Sequence, residues 1–342
     1  MWHSAARITR DFPQRAYAGP MRACLIVILV SACGGSDIAD FGYGGGPGGG
    51  FGATPGGVKD LRLARELIAA GQVPPADALL VEAMFAEHDL GLDGAACSTT
   101  LCLRGGAGFA PEIDGTPRGW AQVGLSSSID PNTWTRPSTT FVYVVDISGS
   151  MQWGSIDDQH PPASQLARAT LHALTDQLRA DDRVALVTFG TTAATPFGLH
   201  GGGADDRNAV HAAIEALGEG GSTNMEAGMA MGYDVGHSAL GTTQQVRIIV
   251  FTDTQPNVGA SQPSDFETAV AAQADAGIHT TVLDFGLGIG AEVMRGMAAL
   301  RGANAYTMTR LADVDDFIAN DSPWFTTPIA FDLHVDTTIA NN

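Results

Sequence analysis

The chain has 342 residues, 18 basic and 37 acidic, and a formal net charge of −19. So acidic a chain lacks the basic face that a nucleic-acid binder needs to displace counterions from phosphate. Its single lysine, Lys59, follows Val58, so no Gly-Lys-Ser/Thr phosphate loop exists and Walker-type nucleotide hydrolysis is excluded. Hydrophobic residues at 44% are enough to build a core.

The most apolar run, Ala23 to Ala32, is shorter than the roughly 20 residues a membrane-spanning helix requires. It has the length of a signal-peptide apolar region and follows Arg22, with Arg15, Arg10 and Arg7 further upstream. The run ends Val30-Ser31-Ala32-Cys33, which resembles the lipobox of bacterial lipoproteins. That resemblance implies a signal peptide over residues 1–33, a diacylated Cys33 and attachment to the membrane through lipid. It also implies a place in the bacterial cell envelope. Because Gly34 rather than Asp follows the cysteine, the outer membrane is expected over the inner. A buried strand finishing at a cysteine is the alternative, and Met21 is an alternative start to Met1.

Residues 34–57 hold 12 glycines in 24 positions, with Pro47 and Pro55 among them. This composition predicts a flexible linker with a reach of about 25–30 Å. Residues 58–138 form a small N-terminal module. Within it, Leu61 to Phe85 is similar to a short segment that precedes the main domain in one group of bacterial lipoproteins, although Ala83 stands where a second acid is common there. The pair Cys97 and Cys102 reads as a local disulfide in an oxidising compartment, with free thiols as the alternative. No second cysteine pair or clustered histidine pair completes a zinc site.

From Thr139 onward, β-rich apolar runs alternate with helical patterns. Strands are expected at Phe141–Asp146, Arg183–Phe189, Val246–Thr252, His279–Phe285 and Ala305–Thr309. Between them, Leu166, Ala169, Ala173 and Leu174, and later Phe266, Ala269, Val270 and Ala274, have helical spacing. Near-continuous apolar strands such as Val246 to Phe251 belong to sheets covered on both faces. The expectation is an α/β fold with a doubly wound, mostly parallel sheet flanked by helices, spanning 139–320. Ligands then bind beyond the carboxyl ends of the strands. Residues 321–342 read as a C-terminal segment, the start of a further module or an edge strand.

Three loops at those ends carry hard oxygen donors. Asp146-Ile147-Ser148-Gly149-Ser150 can turn a carboxylate and two hydroxyls toward one point, Gly221-Ser222-Thr223 adds a hydroxyl, and Thr252-Asp253 adds a second carboxylate. Such a set suits Mg²⁺, with Mn²⁺ or Ca²⁺ possible, and does not suit zinc. The three segments resemble the metal-ion-dependent adhesion site of von Willebrand factor type A domains. The resemblance implies that Asp146, Ser148, Ser150, Thr223 and Asp253 hold a divalent ion completed by a protein partner's Asp or Glu. Thr254 departs from the family's usual Gly and bears on how a partner approaches. The alternative is that the hydroxyls only cap helices.

Gly286-Leu287-Gly288-Ile289-Gly290-Ala291 formally fits the dinucleotide fingerprint. It follows the wrong strand, however, and lacks the downstream acidic residue, so it reads as a turn. No Gly-x-Ser-x-Gly elbow and no His-Glu-x-x-His pair exists, and the nine histidines read as scattered. Asp89 to Gly94 lacks the acids of a calcium loop. The expected function is therefore not enzymatic. It is capture of a protein partner, or assembly of an envelope complex, through a metal ion. The alternative is a cytoplasmic auxiliary subunit of an ATP-driven chelatase-like complex.

Overall fold

The computed structural model describes residues 30–32, 51–53, 58–59, 61–69, 71–74, 95–111, 114–130, 133–152, 160–218, 220–253, 257–260, 262–286, 300–326 and 328–333. In chain order the strands are β1 (Val30–Ala32), β2 (Phe51–Ala53), β3 (Val58–Lys59), β4 (Cys102–Pro111), β5 (Pro117–Ser126) and β6 (Thr139–Asp146). They continue with β7 (Arg183–Phe189), β8 (Ala193–Gly201), β9 (Gln245–Thr252), β10 (Ile278–Phe285), β11 (Asn304–Met308) and β12 (Ala330–Leu333).

Seven of these form the central sheet, in the order β3-β11-β10-β9-β6-β7-β8. All neighbours run parallel except the edge pair β7 and β8. Every residue of β6, β10 and β11 is buried, as expected of strands covered by helices on both faces, although β10 buries His279, Thr280, Thr281 and Asp284 among its apolar residues. Alternate residues of each strand feed two separate cores. Phe141, Tyr143 and Val145 pack with Leu166 and Leu171 of the helix Ala163–Asp176 and Val210 and Ile214 of the helix Ala204–Glu215. Val142 and Val144 face Met225, Met229 and Tyr233 of the helix Met225–Ala239 and Phe266 and Val270 of the helix Pro263–Asp275.

The helix Met225–Ala239 lies close to the sheet because its contact stripe is Gly228, Gly232 and Gly236. A Cβ on Gly228 would come within 2.4 Å of Phe189, and one on Gly232 within 2.5 Å of Val144. One on Gly236 would meet Ile248 at 3.2 Å. The stripe fixes the height of this helix, and hence of the loop that enters it.

Several elements go beyond the sequence reading. β8 carries an exposed-leaning pattern and joins antiparallel at the edge, where one face stays wet. β4 and β5 make a ten-residue antiparallel hairpin to which β1 adds. At its base lies the disulfide between Cys97 and Cys102, the pair that the sequence reading joined. Within the glycine-rich stretch, Phe51–Ala53 pairs with β12. The core also runs past residue 320, for Phe325, in the short helix Ser322–Phe325, is fully buried against Tyr306 and Phe317. Cys33, Thr254, the turn after Gly286 and the segment from 75 to 94 lie outside the described residues. Among the described residues, no helix is long and apolar enough to cross a membrane.

Candidate metal centre

β6 and β9 are neighbours from which the chain winds outward in opposite directions, β6 continuing to β7 and β9 to β10. That is the switch point where open α/β sheets leave a crevice. Val145 pairs with Phe251, so the next residues on each strand, Asp146 and Thr252, come side by side. The Thr252 hydroxyl donates to Asp146 Oδ2 at 2.8 Å, and the Ser148 N–H donates to Asp146 Oδ1 at 2.8 Å. The first carboxylate is thus held by both of its oxygens. Asp253 follows Thr252 directly and is buried close enough for its charge to act on Asp146.

The loop after β6 brings its two serines together, with Ser148 Oγ and Ser150 Oγ 3.0 Å apart. Asp146, Ser148, Thr223 and Asp253 are buried, and Ser150 is half-buried. The second loop is tied to the first by backbone hydrogen bonds. Gly220 donates to the Ile147 carbonyl at 2.6 Å and Gly149 to the Gly221 carbonyl at 3.2 Å. Gly221 sits at φ +93°, where a side chain would be strained and would strike Thr191 Oγ1 at 2.7 Å, so glycine is required there.

Asn257 ties the second loop to the third. Its Oδ1 accepts from the Thr223 N–H at 2.9 Å, while its own N–H donates to the Thr223 carbonyl at 3.1 Å. Glu226 Oε2 accepts from the Ala260 N–H at 2.8 Å and pins the far side of the same loop. The helix beginning at Met225 is capped by Asn224, whose side chain accepts from the Ala227 N–H. Thr223 is therefore not the cap.

Thr252, Asn257 and Glu226 brace the three loops, a role that the sequence reading missed. Thr252 adjoins Asp253 and Asn257 lies four residues beyond it, but neither residue type announces a role without the register of β6 and β9.

Burial pushes the Asp146 carboxyl up to about 6, and the neighbouring Asp253 charge adds to the rise. Hydrogen bonds from Ser148 and Thr252 work in the opposite direction. Two carboxylates in low dielectric that destabilise each other's charge fit a divalent cation, which would relieve both desolvation and repulsion. Among the described residues, no group of three or more His, Cys, Asp or Glu could hold a metal. The candidate donor set is instead two carboxylates supplemented by neutral hydroxyls, all hard oxygen.

Residues 141–255 match the family model described as von Willebrand factor type A domain. The chain is 27% identical over 231 residues to the uncharacterized protein YfbK of Escherichia coli K12. That match covers 66% of this chain but only 38% of the relative, so the chain spans well under half of that protein's length. Among solved structures, a von Willebrand factor type A protein from Catenulispora acidiphila aligns with 16% identity and a TM-score of 0.44, covering 66% of this chain and 46% of that one. Proximal thread matrix protein 1 from the mussel byssus, with a zinc-occupied MIDAS motif, aligns with 18% identity and a TM-score of 0.41, covering 53% and 44%.

Proposed function

The chain carries a von Willebrand factor type A domain over residues 141–255, and from that premise we propose that it captures a protein partner through a divalent ion at the β6–β9 crevice. One observation carries the reading. Two strand-end carboxylates and three hydroxyls lie on three loops that backbone hydrogen bonds lock together at the carboxyl edge of a parallel sheet. Asp146, Ser148, Ser150, Thr223 and Asp253 would hold the ion, and Mg²⁺ suits the donor set best. When bound, the ion supplies an open position that accepts a carboxylate from outside, because three of its protein ligands are neutral and leave it short of negative charge.

The protein's own contribution is preorganisation. Asp146 is oriented by Ser148 and Thr252, and Thr223 is held by Asn257, so little ordering remains for the moment of binding. We further propose that the domain is held at the bacterial cell envelope by a lipid on Cys33, with residues 34–50 as spacer; processing at Cys33 then removes β1, so the β1–β5 pairing belongs to the unprocessed chain alone. Its role there is binding rather than catalysis.

The test has three arms. Mg²⁺ should raise the thermal midpoint of the wild-type chain, and chelator or Asp253→Ala should remove that rise. Partner capture from envelope extracts should likewise need both Mg²⁺ and Asp253. Capture that persists in chelator and in Asp253→Ala would overturn the metal-dependent reading. Labelled palmitate should enter the wild type and not Cys33→Ser; equal labelling of both would overturn the anchor.

A further inference from the structure

The helices Ala163–Asp176 and Ala204–Glu215 pack side by side and bring together two histidines that lie 39 residues apart in the chain. The Nδ1 atoms of His172 and His211 are 2.7 Å apart. The rings are 21° from parallel with centroids 5.0 Å apart. Face-stacked rings cannot bring two nitrogens so far inside the roughly 3.5 Å van der Waals separation. The rings therefore meet edge to edge, with the two Nδ1 positions aimed at each other.

The opposite nitrogen of each ring is already engaged. His172 Nε2 lies 2.9 Å from Glu215 Oε1, and His211 Nε2 lies 3.0 Å from Asp176 Oδ1. An ionised carboxylate only accepts, so both Nε2 atoms carry hydrogen and donate. In two neutral rings, that leaves a bare lone pair on each Nδ1, and the lone pairs oppose each other at 2.7 Å. A cation between them, a shared proton or a metal ion, resolves the conflict.

We infer that His172 and His211 form a second metal site, a two-nitrogen chelate for a borderline-soft divalent ion such as Zn²⁺. The supporting chemistry is on the same four residues. A ligating imidazole characteristically donates its other N–H to a carboxylate, which fixes the ring and raises its basicity. Here both rings have that partner. Tetrahedral zinc with Zn–N of about 2.0–2.1 Å needs the two nitrogens about 3.3–3.4 Å apart, an opening of about 0.6–0.7 Å together with a tilt of both rings that brings their lone pairs to one point. Both rings are partly exposed, at 29% and 27%, which leaves room for that movement and for water at the remaining positions. Arg168, one turn before His172, is directed away, donating to the carbonyls of Ile214 and Leu217.

Nitrogen donors separate this site from the all-oxygen crevice by metal preference, since imidazole selects zinc-like ions and hydroxyl-carboxylate sets select Mg²⁺. The site also corrects the reading of the histidines as scattered, and it stands apart from the proposed adhesion function.

The experiment is calorimetric titration of the untagged full chain with Zn²⁺ under saturating Mg²⁺. One Zn²⁺ should bind to the wild type and to Asp146→Asn. That binding should vanish in His172→Ala and in His211→Ala, and weaken about 10- to 100-fold in Glu215→Gln and Asp176→Asn. Zn²⁺ should also raise the thermal midpoint of the wild type but of neither histidine variant. Unchanged Zn²⁺ binding in the folded double variant His172→Ala/His211→Ala would overturn the inference. So would a wild type that binds no Zn²⁺, which would leave a shared proton as the occupant.

Discussion

Replacing Asp146 by Asn should stabilise the metal-free protein while removing its response to metal. The ionised carboxylate is disfavoured first by burial and then by Asp253, and its pKa stands at about 6 against an ordinary 3.8. That difference is about 3 kcal/mol against the charged form at neutral pH. For a raised carboxyl the penalty is absent below 3.8, grows between 3.8 and about 6, and is complete above that. Asn keeps the local geometry, because its Oδ1 can accept from the Ser148 N–H. Its amide then faces Thr252 Oγ1, whose hydroxyl can rotate from donor to acceptor. In chelator at neutral pH, the variant should gain about 2–3 kcal/mol, which for a domain of this size is about 5–10 °C in thermal midpoint. Added Mg²⁺ should raise the wild type and leave the variant where it is. Chemical denaturation with and without chelator reads both effects. A variant less stable than the wild type in chelator, or equal Mg²⁺ stabilisation of the two, would refute the reasoning.

The glycine stripe predicts a graded series. Gly228→Ala should cost about 1–2 kcal/mol net, because overpacking against Phe189 exceeds the roughly 1 kcal/mol that Ala gains in helix propensity. Gly232→Ala should behave similarly against Val144, and Gly236→Ala should be near neutral by urea denaturation. His279, lowered to about 4 by burial and then by the charges of Arg247 and Arg301, should weaken the fold in acid. Its contribution is complete above the ordinary 6.5 and falls away down to about 4, by up to about 3 kcal/mol. Measured in the Asp146→Asn background, so that the opposite trend of Asp146 is removed, the pH slope should flatten in His279→Gln. Asn257→Ala strips the acceptor from the Thr223 N–H and should lower Mg²⁺ affinity about tenfold by calorimetry, equivalent to about 1.4 kcal/mol.

The central sheet was legible because burial on both faces writes itself as continuous apolar runs. All five expected strands match β6, β7, β9, β10 and β11 to within a residue or two at each end. β8 escaped because an antiparallel edge strand needs no such run, and Ala193 to Gly201 includes Pro196 and two glycines. The hairpin β4–β5 escaped for a related reason, since Gly105, Gly106 and Gly108 dilute its β-propensity. At the site, the ligands could be named because their spacing is local to each loop. Their supports could not. Thr252 serves Asp146 across 106 residues, Asn257 serves Thr223 across 34, and His172 meets His211 across 39. Pairings of that range exist only once the sheet register and the helix packing are set.

The outer edge of the sheet has a consequence for how the chain reaches its final form. β3 is made early, yet it pairs with Ala305 and Tyr306, about 250 residues later. A chain synthesised from its N-terminus must therefore hold Val58–Lys59 unpaired until nearly the whole domain has emerged. Closure of that edge carries the highest loop entropy in the sheet and so belongs to the last steps of folding. The first strand of the sheet to be made is its final seam.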